Sequence, residues 1–318
     1  MLSSRWFKLG LSLGLFTLLF RSIDLLAFRE QLAAARLDLV GVAFLGYLLS
    51  QVLSAYKWQV LARPLGFHHP LRVFGVYYFV GMYLNLFVPS TVAGDVGRGL
   101  LLATQSGRVS TALQSVLADR VTGVVMLLWV SALGFLFFGP TVFPVTVAYG
   151  VVLAAVLAVA GWWIAPRVVP PRVVPVLFLP GHAFHRVWGN LIQPYHDQAM
   201  LLGYACLVSF GLHCLQLGLQ VVLAYALHLP VPLWYLILFI PLVHILSALP
   251  VSFGGIGVRE SSYVVFLALI GIGQHEALAF GVLWSALVLG AGIVGGVVLA
   301  LSPEVQRALA RIRKTSDG

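Results

Sequence analysis

Long apolar runs, broken by short polar stretches, fill this chain. They fall at about 6–27, 38–61, 72–88, 96–104, 111–138, 141–165, 200–228, 233–249, 256–271 and 276–301. A run of about 18 or more apolar residues is long enough to cross a bilayer as a helix. Six runs meet that length. The other four form two pairs, 72–105 and 233–271, each interrupted by proline and glycine. The pattern predicts an all-α polytopic membrane protein with about six full spans and two re-entrant helical hairpins. Two ordinary spans kinked at the prolines are the plainer alternative.

The two interruptions resemble each other. Val88–Arg98 reads VPSTVAGDVGR, and Leu249–Arg259 reads LPVSFGGIGVR. Aligning Pro89 with Pro250 places Ala93 on Gly254, Gly94 on Gly255, and Arg98 on Arg259. Proline breaks a helix, and non-helical backbone at membrane depth is tolerated only inside protein or beside a wet cavity. Paired breaks of opposite orientation are the mark of an inverted-repeat transporter with its site at the breaks. Residues 1–165 form the first half and residues 200–301 the second, within one transmembrane domain.

Composition agrees with this. The chain has 318 residues, 60% hydrophobic and 9% charged, with a mean hydropathy of +0.99. A net charge of +9 reads here as the cytoplasmic excess of Lys and Arg rather than nucleic-acid binding. With two hairpins and six spans, Arg63, Arg72, Arg108, Arg167, Arg172, Arg186, Arg307, Arg311, Arg313 and Lys314 fall on one side with both termini. Arg29 and Arg36 lie opposite, balanced by Glu30 and Asp38. Both termini are therefore expected in the cytoplasm, and the protein in the plasma or inner membrane. The first apolar run, flanked by Arg5 and Lys8, reads as a retained signal anchor because Arg21 and Asp24 interrupt it. Cys206 and Cys214 stand roughly 12 Å apart along one helix, too far for a disulfide.

Residues 166–199 are the least membrane-like. A tandem PRVVP at 166–175 is an extended linker. Phe184, Val187, Trp188, Leu191, Ile192 and Tyr195 then recur at helical spacing, which predicts an amphipathic helix on the cytoplasmic surface. A loop covering the bundle is the alternative. Residues 302–318 are a basic tail.

Charges near membrane depth are costly and serve a function or a partner. Six lie there: Asp95, Arg98, Asp119, Arg120, Arg259 and Glu260. A helix that starts after a glycine break presents free N–H groups and a positive dipole end. An arginine in its first turn suits phosphate. Arg98 and Arg259 are thus expected to hold one headgroup together. The alternative is a set of closed structural pairs, Asp95 with Arg120 and Asp119 with Arg98. The nine histidines are scattered and predict no metal site. No phosphate-cradling loop, serine-hydrolase motif or zinc-protease motif occurs, so no cofactor and no catalytic residues are expected.

At these residues the chain resembles the lysylphosphatidylglycerol synthase transmembrane-region family of flippase-like membrane proteins. The resemblance rests on Tyr56-Lys57-Trp58, Asn85-Leu-Phe-Val-Pro89, Gly94-Asp95-x-x-Arg98, Asp119-Arg120-x-x-Gly123 and Leu249-Pro250…Gly254-Gly255-x-Gly257-x-Arg259-Glu260. It adds Asn85, Gly94 and Gly255 to the candidate substrate contacts, with Pro89 and Pro250 as the breaks. In bifunctional relatives the equivalent region is credited with flipping aminoacylated phosphatidylglycerol, which a separate soluble domain makes. The chain stops at Gly318, so synthase activity is not expected.

The expected function is a lipid flippase or scramblase for an anionic or phosphate-bearing lipid, aminoacylated or glycosylated forms included. Its partners would be the headgroup and acyl chains of that lipid, and a separate lipid-synthesising enzyme. Two alternatives stand beside it. One is a membrane-embedded transferase acting on a polyprenyl-phosphate-linked substrate with Asp95 or Asp119 as base. The other is a non-catalytic scaffold for a lipid-modifying enzyme.

Overall fold

A computed structural model describes residues 24–87, 92–104, 106–138, 198–248, 257–303 and 305–309, with short pieces at 14, 17, 146, 149–150, 152–158, 160, 193–195 and 255. Among these residues the secondary structure is helical, with no strand. The elements are α1 (Leu25–Ala33), α2 (Leu37–Ala62), α3 (Leu71–Leu84), α4 (Val92–Ala103), α5 (Val109–Phe138), α6 (Ala199–Ala226), α7 (Leu233–Ala248), α8 (Val258–Ala268) and α9 (Gln274–Leu301).

Helix length sorts them into two kinds. The segments 37–65, 109–138, 199–226 and 274–301 are long and apolar enough to cross a membrane. By contrast α3, α4, α7 and α8 have 14, 12, 16 and 11 residues. At 1.5 Å per residue they reach only roughly 17–24 Å, short of a hydrocarbon core of about 30 Å. The apolar runs at 6–27 and 141–165 lie largely outside the described residues, as do Pro89, Pro250, Gly254 and the 166–192 stretch. One boundary differs clearly from expectation: α4 begins at Val92 rather than near 96. The polar Gly94-Asp95 pair, read as a break, lies inside its first turn. Residues 25–33 are not the end of the first apolar run either. They form a separate short helix, capped by Asp24 Oδ1 accepting from the N–H groups of Leu26 and Ala27.

The chain forms two compact units. The first comprises residues 1–52, 78–97 and 214–303. In it α8 packs against α7 and α9, and α9 against α1. Lipid tails are as apolar as leucine, so close backbone approach does much of what burial from water does in soluble cores. The α9 glycines show it. A Cβ on Gly295 would stand 2.0 Å from the Phe79 carbonyl oxygen of α3, and one on Gly296 2.7 Å from the Tyr83 ring. On α4, a Cβ at Gly94 would stand 2.0 Å from the Gly81 oxygen. Tyr235, Phe239, Tyr263, Phe266 and Phe280 fill the space around α7 and α8 with ring contacts.

The second unit comprises residues 53–77, 98–213 and 304–318. Its centre is Trp58, fully buried, with the Phe74 ring edge-on at 4.8 Å. The end of α2 tightens into a 3-10 turn at Arg63–Leu65, closed by Gly66 at φ 85°. Arg108 donates to the carbonyls of Leu65 and Gly66 and lies over the Phe67 ring. A second 3-10 turn, Gln193–Tyr195, packs on the first. Its Tyr195 is buried, and the hydroxyl donates to the Leu61 carbonyl at 2.6 Å. Tyr195 therefore packs on the protein and not on a membrane surface as the spacing had predicted. Burial pushes its phenol well above the ordinary range, with the Asp119 charge adding to this, so it stays a donor.

Candidate functional site

Each unit holds a buried polar cluster at one of its short helices. In the second unit the cluster is built on α2, α4 and α5. Arg98 Nη2 donates to Asp119 Oδ2 at 2.8 Å. Lys57 Nζ lies 3.0 Å from Asp119 Oδ1, off the line of a hydrogen bond, and donates to the Asp119 backbone carbonyl at 3.1 Å. The three side chains are only 3%, 7% and 5% exposed for Arg98, Lys57 and Asp119. The Arg98 guanidinium also lies 4.7 Å from the centre of the Trp58 ring. Trp58 is fixed in turn by its indole N–H, which donates to Ser115 Oγ at 3.0 Å. Removing such charges from water costs several kcal/mol per ion, so they must pair or hold a ligand.

In the first unit the cluster surrounds the start of α8. Gly255 and Gly257 both have left-handed backbone, φ 83° and 85°, which a side chain would strain. Glu260 is buried and accepts from the Gly257 N–H at 2.7 Å and from the Ser285 hydroxyl of α9. Arg259 Nη1 donates to the same Ser285 Oγ at 3.2 Å. Among the described residues no carboxylate forms an ion pair with Arg259. Nearby, the Tyr263 hydroxyl donates to Gln220 Oε1 at 2.6 Å, and Gln220 Nε2 donates to His244 Nε2 at 2.8 Å. The His244 ring stacks on Trp284.

The expected residues divide between these clusters. Asp119 and Arg98 meet in one; Arg259, Glu260 and Gly255 meet in the other. Arg120, next to Asp119, is exposed, because neighbours on a helix point about 100° apart. Asp95 is half-buried in the first turn of α4. Asn85 Oδ1 accepts from the Gly94 N–H at 2.7 Å, so these two tie α3 to α4. Arg98 was expected in a first turn. It lies in the second turn of α4, because that helix begins at Val92, whereas Arg259 is the second residue of α8. The two sequence echoes therefore start their helices at different points.

Three participants are absent from the expected site residues. Lys57 is a charge inside an apolar run, the same signal that marks Asp119, and it enters the sequence reading only through the Tyr56-Lys57-Trp58 motif. Ser285 and Gln220 carry no sequence signal, since a polar neutral side chain on a long helix is ordinary. Among the described residues no group of three metal-ligating side chains occurs.

No curated protein matches the chain. The sequence profile of the lysylphosphatidylglycerol synthase TM region matches residues 5–296. That span takes in α1 to α8 and nearly all of α9, with every residue of both clusters. A multi-pass helical membrane protein concerned with lipid modification or transport, this chain belongs to the lysylphosphatidylglycerol synthase TM-region family.

Proposed function

We propose that this protein moves a phosphate-bearing lipid across the cell membrane and does no bond chemistry on it. The observation that carries the reading is Arg259: an arginine at the start of a helix too short to span, held by a neutral serine with no carboxylate ion pair among the described residues. Its charge, the α8 dipole and the N–H groups of the first turn favour an anion together. Arg98 is the corresponding cation of the other unit, and its pairing with Asp119 holds its charge in place for a headgroup.

The short helices support the finer architecture. We propose six spans with re-entrant pairs α3–α4 and α7–α8 in an inverted repeat, both termini cytoplasmic. Asymmetry of Lys and Arg between loops supports that orientation. The transferase reading is weaker, because Asp119 already serves two cations and is not poised as a base. The scaffold reading predicts that both arginines are dispensable. Reconstitution separates the three. A flippase moves labelled lipid in liposomes and turns over no donor in detergent, a transferase does the reverse, and a scaffold does neither.

A further inference from the structure

His244 is an ionisable side chain that the lipid-moving reading does not use. It lies half-buried on α7. Gln220 Nε2 of α6 donates to its Nε2 at 2.8 Å, and its ring stacks on Trp284 of α9 with 5.9 Å between centres. Behind these stand Tyr263 of α8, whose hydroxyl donates to Gln220 Oε1 at 2.6 Å, and Tyr47 of α2, edge-on to Trp284. Arg259 and Glu260 are the only Asp, Glu, Lys or Arg side chains of α6, α7 and α8, and α9 has Glu276 two turns before Trp284. The hydrogen bonds run in one direction: Tyr263 donates, the carboxamide passes the polarity on, and the neutral imidazole accepts. A proton on His244 Nε2 would set two donors against each other. Gln220 must then turn its oxygen to His244 and its NH2 to Tyr263, whose hydroxyl becomes the acceptor. Two routes carry this change to Arg259. Tyr263 stands one turn after Arg259 on the same face of α8. On α7, Ser247 follows His244 by three residues, and a Cβ on Gly255 would stand 3.0 Å from the Ser247 carbonyl oxygen and 3.2 Å from Arg259 Nη2. Pro241 inside α7 cannot donate to the Ile237 carbonyl, which weakens the helix one turn before His244.

We propose that His244 is a proton site linked to the anion site at Arg259, so that one proton accompanies each anion bound there. Charge balance carries the argument. Arg259 and Glu260 together bring no net charge, so an anion at Arg259 leaves one negative charge uncompensated in apolar surroundings, where that is costly. A proton on His244 supplies the missing positive charge. Linkage is reciprocal: the proton strengthens anion binding, and the anion strengthens proton binding by the same factor. This inference rests on the lipid-moving reading and adds its coupling ion.

Two measurements test it. The first is tryptophan fluorescence of the purified full chain in detergent, titrated from about pH 5 to pH 8, where histidine changes charge. A protonated imidazole quenches an indole stacked on it. Wild type should show a reversible fall in emission at low pH that His244→Gln and Trp284→Phe both lack. Dioctanoyl phosphatidylglycerol should move the midpoint of that fall to higher pH in wild type and not in Arg259→Ala. No such fall in wild type, or the same fall in His244→Gln, overturns the proton site. A midpoint that the lipid leaves in place, or moves equally in Arg259→Ala, overturns the linkage. The second uses liposomes with a trace of tail-labelled phosphatidylglycerol, whose charge is constant over this range, and an imposed pH gradient. The label should accumulate in the leaflet on the alkaline side, by about tenfold per pH unit for one proton per lipid, and His244→Gln should abolish the accumulation. If His244→Gln does not fold, the wild-type titration, its Trp284→Phe counterpart and the wild-type gradient still decide. Lipid that moves in wild-type vesicles without responding to the gradient overturns the coupling alone. Lipid that stays put while the midpoint shift is intact removes the transport reading and leaves the linkage standing.

Discussion

Arg98 Nη2 and Asp119 Oδ2 meet at 2.8 Å, and Lys57 reaches the other oxygen of the same carboxylate. One anion thus holds two buried cations from two other helices. Breaking such a cluster from the anionic side leaves both cations uncompensated. Asp119→Ala should therefore cost about 3–5 kcal/mol and sharply reduce folded yield. Asp38→Ala removes the exposed partner of Arg36 and should leave yield unchanged, since exposed pairs contribute little. Thermal unfolding of both variants in one detergent checks this; equal stability would count against the cluster.

Close packing of α9 on α3 gives a second expectation. Gly295→Ala places a Cβ 2.0 Å from the Phe79 carbonyl oxygen, and backbone cannot yield as a side-chain tip can. That variant should not accumulate as folded protein. Gly218→Ala, on α6, meets nothing within 4 Å and should be neutral or slightly stabilising, as Ala favours helix over Gly. Fluorescence-detected size exclusion compares the two directly.

The Tyr263–Gln220–His244 chain makes a third. Tyr263→Phe keeps the ring contacts with Phe239 and Phe280 but removes the donor to Gln220, which is fully buried. The orphaned carboxamide oxygen should cost about 1–3 kcal/mol. A thermal shift indistinguishable from wild type would mean that Gln220 finds another donor.

Much of the fold was legible because membrane helices declare themselves by length and hydropathy alone. The predicted run 200–228 and the observed α6 differ by two residues at most, and α3, α4, α7 and α8 appear where the apolar runs fell short. The site was legible only in part. Asp119 and Glu260 are visible as charges out of place, and the Arg98–Asp119 pair is one of the two arrangements their spacing permits. Lys57 escaped because depth cannot be read near a run's end, where a lysine stem can snorkel to the interface. The Pro-Gly echo suggested equal helix starts, but Val92 and Val258 occupy non-equivalent positions in it. Helix ends follow from local hydrogen bonding, such as Asn85 to Gly94, which proline spacing does not encode.

Arg259 tests the transport reading apart from folding. Its described contact is one hydrogen bond to Ser285, so Arg259→Ala should fold nearly as wild type yet lose most activity. Arg259→Lys should recover only part, because an ammonium lacks the guanidinium fork. If Arg259→Ala moves lipid at the wild-type rate, the anion site is not at α8.

The most direct measurement is the rate of transbilayer movement of tail-labelled phosphatidylglycerol in liposomes at matched protein amount and orientation. Wild type and Gly218→Ala should move it well above protein-free vesicles. Arg98→Ala and Arg259→Ala should each fall by about tenfold or more, the loss of one charge-assisted phosphate contact. Folded single variants that transport as wild type, or wild-type vesicles no faster than empty ones, would contradict the account.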